Sequence, residues 1–373
     1  MPGLVNPCTS LGLKPFNRSG VHADLKTGDA FSMDEKLYTK LLRCGFTTFG
    51  LLPPGSGFPG QAMAFKPEGV KKEDWMISDS AYVLVTMTRP SREKKAFKSA
   101  FETAQKEIDK VEKARKEWEE KQKKKKEEEE KKKAEPEKKE EKPKGTAPEE
   151  PEKKTPPEKG KEGEKAEEEP FKPPPINPAY QPLVDMIQKK EGVRMLIVLD
   201  QASDFIHLKE VLGEHEYPRS YLLKHAEIAS FRSASSDLYR VAGEFGEERA
   251  KVVMKPAVNV KPYTRHRICL PRTFAEAGCE VSLMPARDTL EEHAAFLNRV
   301  GLLIKAGLTY DEALRAVTLH PARILGVDDR MGTLEEGKMG NLLFLDGEPF
   351  HPLTRVKKVM IEGRVVAEGL EYQ

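Results

Sequence analysis

Two regimes of hydrophobic patterning divide the chain. Gly192-Val-Arg-Met-Leu-Ile-Val-Leu199 is a short apolar run between polar flanks. That is the pattern of a strand buried on both faces of a parallel sheet. Residues 202–212 read as a helix, and shorter strand-like runs follow at 221–223, 252–254 and 281–284, each with a helix-like segment after it. Strands alternating with helices predict an α/β fold with parallel strands. Nearer the start, Ser32-Met-Asp-Glu35 has the spacing of a capping box. It predicts a helix over 33–44 that stops at Gly45, with 46–52, rich in β-formers, as the next strand. Pro53-Pro-Gly-Ser-Gly-Phe-Pro-Gly60 reads as a loop. No Lys-Ser/Thr follows it, so its glycines give little support to a phosphate cradle.

From about Arg92 the alternation gives way to a helical pattern with Phe97, Phe101, Ile108 and Val111 on one stripe. Past Trp118 the stripe ends. Lysines at 123–126, glutamates at 127–130 and lysines at 131–133 follow in blocks. These set Glu127 opposite Lys131 and Glu128 opposite Lys132 at i,i+4, each pair contributing roughly 0.2–0.5 kcal/mol. A solvated, charge-laced helix is predicted to about Ala134. After Pro136, prolines recur among Lys, Glu and Gly until Pro173-Pro-Pro175. Such a stretch buries too little apolar surface to order itself. The interleaved glutamates favour a solvated linker over a nucleic-acid or partner tail. The predicted organisation is a first globular part over 1–90, a charged helix over 91–135, a disordered linker over 136–176, a second globular part over 177–330 and a small β-subdomain over 331–373.

Composition refines this picture. Charged residues make up 33% of the 373 positions and aromatics 7%, a skew that comes mostly from the insert. Roughly 300 residues remain, enough for one large α/β domain with a small appendage. A net charge of +2 creates no long-range field toward nucleic acid or membrane. No run approaches the ~20 apolar residues of a membrane span, and the start has neither the basic nor the apolar part of a signal peptide. Cys8, Cys44, Cys269 and Cys279 show no C-x-x-C spacing, which suits reduced thiols. The expectation is a cytoplasmic protein without a nucleic-acid or membrane partner.

The last 70 or so residues carry the most specific pattern. Thr309-Tyr-Asp-Glu312 is a second capping box and opens a helix through Ala313, Leu314 and Val317. Ala316-Val-Thr-Leu-His-Pro-Ala-Arg-Ile-Leu-Gly326 follows, with Gly326 placed to close a helix in the left-handed conformation. Then come Gly332-Thr-Leu-Glu-Glu-Gly-Lys338, Asn341-Leu-Leu-Phe-Leu-Asp346 and Val359-Met-Ile-Glu-Gly-Arg-Val-Val366. This order resembles the closing segment of amidohydrolases of the imidazolonepropionase and dihydroorotase type. Leu4-Val5-Asn6-Pro7 resembles the family's approach to its first barrel strand, and Cys44-Gly-Phe-Thr-Thr48 its second. Residues 271–282 resemble the helix and last strand of the barrel. The resemblance implies a (β/α)8 TIM-like barrel, closed or incomplete, with a small C-terminal β-sandwich remnant and the charged helical and disordered insert as an interruption.

The resemblance also implies a chemistry: hydrolysis of C–N bonds by one or two divalent metals that activate a water. A His-x-His pair on the first strand serves because residues i and i+2 share a face, and the bound metal lowers the pKa of its water. Here those slots hold Cys8 and Ser10. The next ligand-bearing slot falls at Val198, or at Asp200 with a two-residue shift. Tyr221-Leu-Leu-Lys-His225 resembles the strand-end histidine. The closing aspartate slot falls at Ala286, with Asp288 two residues late as a shifted replacement. Cys8, His225 and Asp288 are thus the candidate metal ligands, and Asp288 is the candidate catalytic residue. Plainer roles stand beside these: Cys8 as a small buried hydrophobe, Ser10 as a hydrogen-bonded strand-end residue, His225 as an ordinary strand-end histidine, Asp288 as a helix N-cap before Leu290. The remaining histidines fall in no ligand pattern. Simultaneous losses at Cys8, Ser10 and Ala286 point to a degenerate member that expects no cofactor and acts in binding, regulation or assembly. A homo-oligomer, or pairing with a related barrel protein, is the partner expectation. The alternatives are an active hydrolase with a rebuilt zinc site, and an interaction protein working through the charged helix and tail.

Overall fold

A computed structural model describes the chain except residues 15–17, 89, 134–169, 214, 225–236, 262–263 and 369–373. The described elements that position the site run in the order β1 (Leu4–Thr9), α1 (Glu35–Arg43), β2 (Phe46–Leu51), β3 (Gly60–Gln61), β4 (Met63–Phe65), β5 (Met76–Ser78), β6 (Val83–Thr86) and α2 (Pro90–Lys133). After the insert come β7 (Met195–Leu199), α3 (Ala202–Leu212), β8 (Arg219–Leu223), β9 (Lys251–Met254), β10 (Glu280–Leu283), α4 (Leu290–Ala294), α5 (Phe296–Lys305), α6 (Tyr310–Val317) and α7 (Leu319–Leu325). The chain closes with β11 (Leu342–Leu345), β12 (Val356–Ile361) and β13 (Arg364–Glu368).

The predicted parallel strands are present, and their ladders fall into two sheets. A 6-stranded sheet has the order β10-β9-β8-β7-β6-β3, and a 4-stranded sheet the order β1-β2-β4-β5. Pairing is parallel from β6 through β10 and between β1 and β2. The stretch from Gly60 to Phe65 joins the sheets: β3 pairs antiparallel with β6, and β4 antiparallel with β2. Ala62 sits at the changeover and exchanges backbone hydrogen bonds with Ala81 and Tyr82. The ring stays open on its other side, because no ladder among the described residues joins β10 to β1.

Inward positions of the strands alternate along each run, as parallel strands require. Val5, Tyr82, Leu84, Leu196, Val198, Leu222 and Val253 meet in one core with Ile324 and Leu325 of α7 and with Val327 and Met331. Helix α7 thereby fills the space beside the open edge, packing against both β1 and β10. A second cluster sits outside β2: Phe49, Phe65, Tyr38 and Trp75 are buried and pack with Phe31, ring centroids 4.8–6.2 Å apart.

Local sequence rules succeed and fail in instructive places. The first capping box does not form; α1 starts later, at Glu35, with Asp34 as its cap, accepting from the Leu37 N–H at 3.0 Å. The carboxylate is the better acceptor for the free amides of a helix start. At the second box Thr309 caps the helix: its Oγ1 accepts from the Glu312 N–H at 3.2 Å. Thr309→Ala is expected to cost about 1 kcal/mol, read as a lower urea midpoint with an unchanged slope. Gly326 closes α7 in the left-handed region, φ 70°. In the glycine-rich loop, a side chain at Gly57 would strike the Gly20 carbonyl oxygen at 2.6 Å, and its N–H donates to Thr86 Oγ1 at 2.7 Å. The glycines there serve close backbone packing.

Two compact units emerge from the contacts, one comprising Met1–Gln105 with Ile176–Gln373, the other Lys106–Pro175. Within the first, the apolar stripe at the start of α2 is used: Phe97 stacks on Phe101, and Phe101 on Tyr217, both at 4.8 Å. Within the second, Arg115 pairs with Glu119 at 3.1 Å, and Trp118 lies 5.8 Å from Phe171. Residues 136–169 of the predicted disordered linker lie outside the described residues, as does the Glu128–Lys132 side-chain pair. At the C-terminus, β11, β12 and β13 form a 3-stranded antiparallel sheet. The chain start joins it, with the Leu343 N–H donating to the Met1 carbonyl oxygen at 2.9 Å. No helix among the described residues is long and apolar enough to cross a membrane.

Candidate functional site

The site begins with an irregularity in β1. Asn6 pairs with Phe49 and Thr9 with Leu51, so Pro7 and Cys8 together face the single residue Gly50. Proline has no N–H to give to a ladder, which suits it to such a bulge. Asn6 Oδ1 accepts the Cys8 N–H at 3.2 Å. The extra residue breaks the strict two-residue alternation that the His-x-His comparison assumes. Cys8 points into the barrel core, 7% exposed, whereas Thr9 and Ser10, adjacent in sequence, both reach the same carboxylate.

That carboxylate is Asp288. Its Oδ1 accepts from Thr9 Oγ1 at 2.8 Å; its Oδ2 accepts from the Ser10 N–H at 2.7 Å and from Ser10 Oγ at 2.6 Å. The predicted capping role passes to the next residue: Thr289 Oγ1 accepts from the Glu292 N–H at the start of α4. Nothing local in the sequence marks Thr9 for this role.

Cys8 is placed for packing. Its Sγ lies 3.6 Å from the Tyr82 hydroxyl, and Tyr82 gives its own proton to the Pro7 carbonyl oxygen at 2.9 Å. The thiol is therefore the donor in the Cys8–Tyr82 contact. Burial pushes this thiol up to about 12, the Tyr82 hydrogen bond opposing and the Asp288 charge adding. Burial thus favours the neutral thiol over the thiolate.

Behind these residues, His293 ties α4 to β1. Its Nδ1–H donates to the Thr289 carbonyl oxygen at 2.8 Å, and its Nε2 accepts from Asn6 Nδ2 at 3.2 Å. The ring is 1% exposed and meets Phe46 edge-on at 4.8 Å. Burial lowers its pKa. Across the barrel, Val198 is core, 1% exposed, and Asp200 follows at the strand end. Burial raises the Asp200 pKa, with Lys224 opposing and Asp204 and Glu93 adding. Ala286 is buried and carries no polar group. His225 lies outside the described residues. The structure therefore brings Asp288 to the end of the Cys8 strand, where it bonds Thr9 and Ser10, while Cys8 contacts Tyr82 in the core.

Among the described residues Cys8 and Asp288 do not form a ligand set, and the third candidate, His225, lies outside them. Asp288 accepts from three donors, and no group of three His, Cys, Asp or Glu among the described residues is arranged to hold an ion. The Gly332–Lys338 stretch is structural: Lys338 Nζ donates to Thr333 Oγ1 at 2.6 Å and pairs with Glu335 at 3.0 Å.

The arrangement of strands, the closing helices and the terminal sheet define a TIM-barrel-like α/β fold. Residues 284–366 match the pattern of the amidohydrolase family. An amidohydrolase from Thermotoga maritima MSB8 shares the fold, with a TM-score of 0.67 at 17% identity over 99% of this chain and 87% of that one. A putative N-acetylgalactosamine-6-phosphate deacetylase of Escherichia coli is 37% identical over 82 residues, 22% of this chain and 44% of that protein. An imidazolonepropionase of Bacteroides fragilis is 31% identical over 117 residues, 30% of this chain and 26% of that one. The chain thus spans less than half the length of these curated relatives. Its closing segment is similar to amidohydrolases in sequence, and the chain shares the fold of a solved amidohydrolase.

Proposed function

We propose that this chain is an amidohydrolase-like barrel that has given up metal-dependent C–N hydrolysis and serves in binding, regulation or assembly, with a related barrel as the partner class. The observation that carries this reading is the capture of Asp288 by Thr9 and Ser10. A metal-binding aspartate needs a free oxygen lone pair facing the metal, with deprotonated or neutral ligands around it. Here hydroxyl and amide donors stand on the side of Asp288 that faces the first strand, and the adjacent thiol keeps its proton.

The reading predicts well under 0.1 equivalent of zinc, manganese or iron per chain in protein purified from metal-supplemented cells. It also predicts no turnover of cyclic amides or ureas. About one zinc per chain, lost in Cys8→Ala/His225→Ala, would establish the rival: an active hydrolase with a rebuilt Cys8, His225 and Asp288 site. The Lys/Glu insert enters through a separate test. If the insert were the functional element, deleting 121–172 would abolish partner capture and leave the barrel folded.

A further inference from the structure

We propose that the junction between the first and last barrel strands is a histidine-latched seam that loosens on acidification. A closed barrel would join β10 to β1 by a backbone ladder, whose bonds do not titrate between pH 5 and 8. Here that ladder is missing among the described residues, and side chains bridge the gap.

His320 of α7 donates from Nδ1 to the Val281 carbonyl oxygen of β10 at 2.8 Å, taking an acceptor on the edge strand while α7 packs on β1. His293 of α4 accepts from Asn6 of β1 at 3.2 Å. Asp288, beyond the end of β10, accepts from Thr9 and Ser10 of β1. Two of the three bridging side chains are therefore histidines, 1% and 5% exposed.

The His293 tie works only with a neutral ring. Its Nε2 must present a lone pair to Asn6 Nδ2. Protonation would set an N–H against that amide, and Asn6 cannot turn over without losing the bond from the Cys8 N–H to Oδ1. His320 keeps its bond to Val281 on protonation, but then carries a buried charge, which costs several kcal/mol unless paired. The charged neighbours do not reverse this. Around His293 they are Asp288 and Glu292, the latter held by Arg299 of α5 at 2.6 Å. Packed β2 contributes only Phe46 and Phe49, and α1 presents Tyr38, itself raised by burial. Around His320 they are Glu280 of β10, Glu312 of α6 and Arg323 of its own helix. Apolar Val5 of β1 and Val253 of β9 complete the surroundings of α7. Burial outweighs the acidic neighbours at both rings, and both pKa values lie below the ordinary value. The open seam therefore takes up more protons than the closed one. The stabilisation is complete above about 6.5 and is lost as pH falls below it.

Amide exchange measured by mass spectrometry on the full chain at pH 7.5 and 5.5 tests the latch. Protection factors, corrected for intrinsic rates, are compared between 4–9 with 280–283 and the strands 195–199 with 219–223. The seam strands are expected to lose protection by about tenfold relative to the others, for one proton taken up on opening one unit below an unfolded pKa of ~6.5. His293→Gln, which keeps an acceptor for Asn6, combined with His320→Asn, which keeps a donor for Val281, should remove most of that pH dependence. A wild-type ratio that does not change with pH overturns the proposal, as does an equal loss in the double variant. The wild-type comparison decides by itself if the double variant does not accumulate.

Discussion

Asp288→Ala is expected to destabilise the folded chain by about 2–4 kcal/mol, one of the two largest single effects at the site. Three donors converge on this carboxylate, and hydrogen bonds to a charged group contribute roughly 1.5–3 kcal/mol each. The sum is discounted because Ser10 is exposed and water can replace part of what is lost. Asp288→Asn should lose about half as much, since one oxygen remains an acceptor while the amide N–H₂ confronts a donor. Urea unfolding of the two variants measures this directly. A midpoint within experimental error of the parent protein would show that the clasp contributes nothing and would remove the main support for the degenerate reading. The same variants separate the two functional readings. If Asp288 held zinc, its loss would also release metal; in the degenerate reading there is none to release.

Gly50→Val should act at the opposite side of the same strand, at a cost of about 3 kcal/mol or more. A β-carbon at this position would lie 2.5 Å from Leu325 Cδ2 and closer still to the Pro7 carbonyl oxygen. Leucine can turn aside, but the Pro7 carbonyl belongs to the β1 bulge and can move only if the strand moves. The substitution therefore presses on the feature that separates Cys8 from Ser10. Soluble yield and the urea midpoint report the cost. Amide exchange in 4–9 should rise before exchange in 195–199 does, and uniform behaviour of the two segments would locate the strain elsewhere.

Much of the fold was legible because its signals are short-range. The apolar run at 195–199 and the helix at 202–212 rest on patterns within a dozen residues, as do the Thr309 cap and the left-handed Gly326. The closing segment was legible for the same reason, since its turn and capping residues are contiguous. Ser32 failed as a cap because the helix starts two residues later, where the Asp34 carboxylate accepts the free amide instead. The site was legible only in outline. Asp288 was a candidate and lies at the end of the first strand, but as an acceptor for hydroxyls. His293 was dismissed as patternless, although it is 1% exposed and joins two elements. No local signal could have found it, because Asn6 lies 287 positions away.

The amino-acid sequence by itself determined the α/β alternation, the charged insert, the amidohydrolase-like closing segment and the presence of Cys8 and Ser10 at the end of the first strand. Each of these is written in residue identities and short spacings. Only the tertiary structure decided what the residues at that strand end do. A bulge opposite Gly50 turned Cys8 into the core and lined up Thr9 with Ser10, and the return of the chain 279 residues later set Asp288 against them. Side-chain direction depends on strand register, and register depends on packing from the far end of the chain, so spacing alone could not supply it.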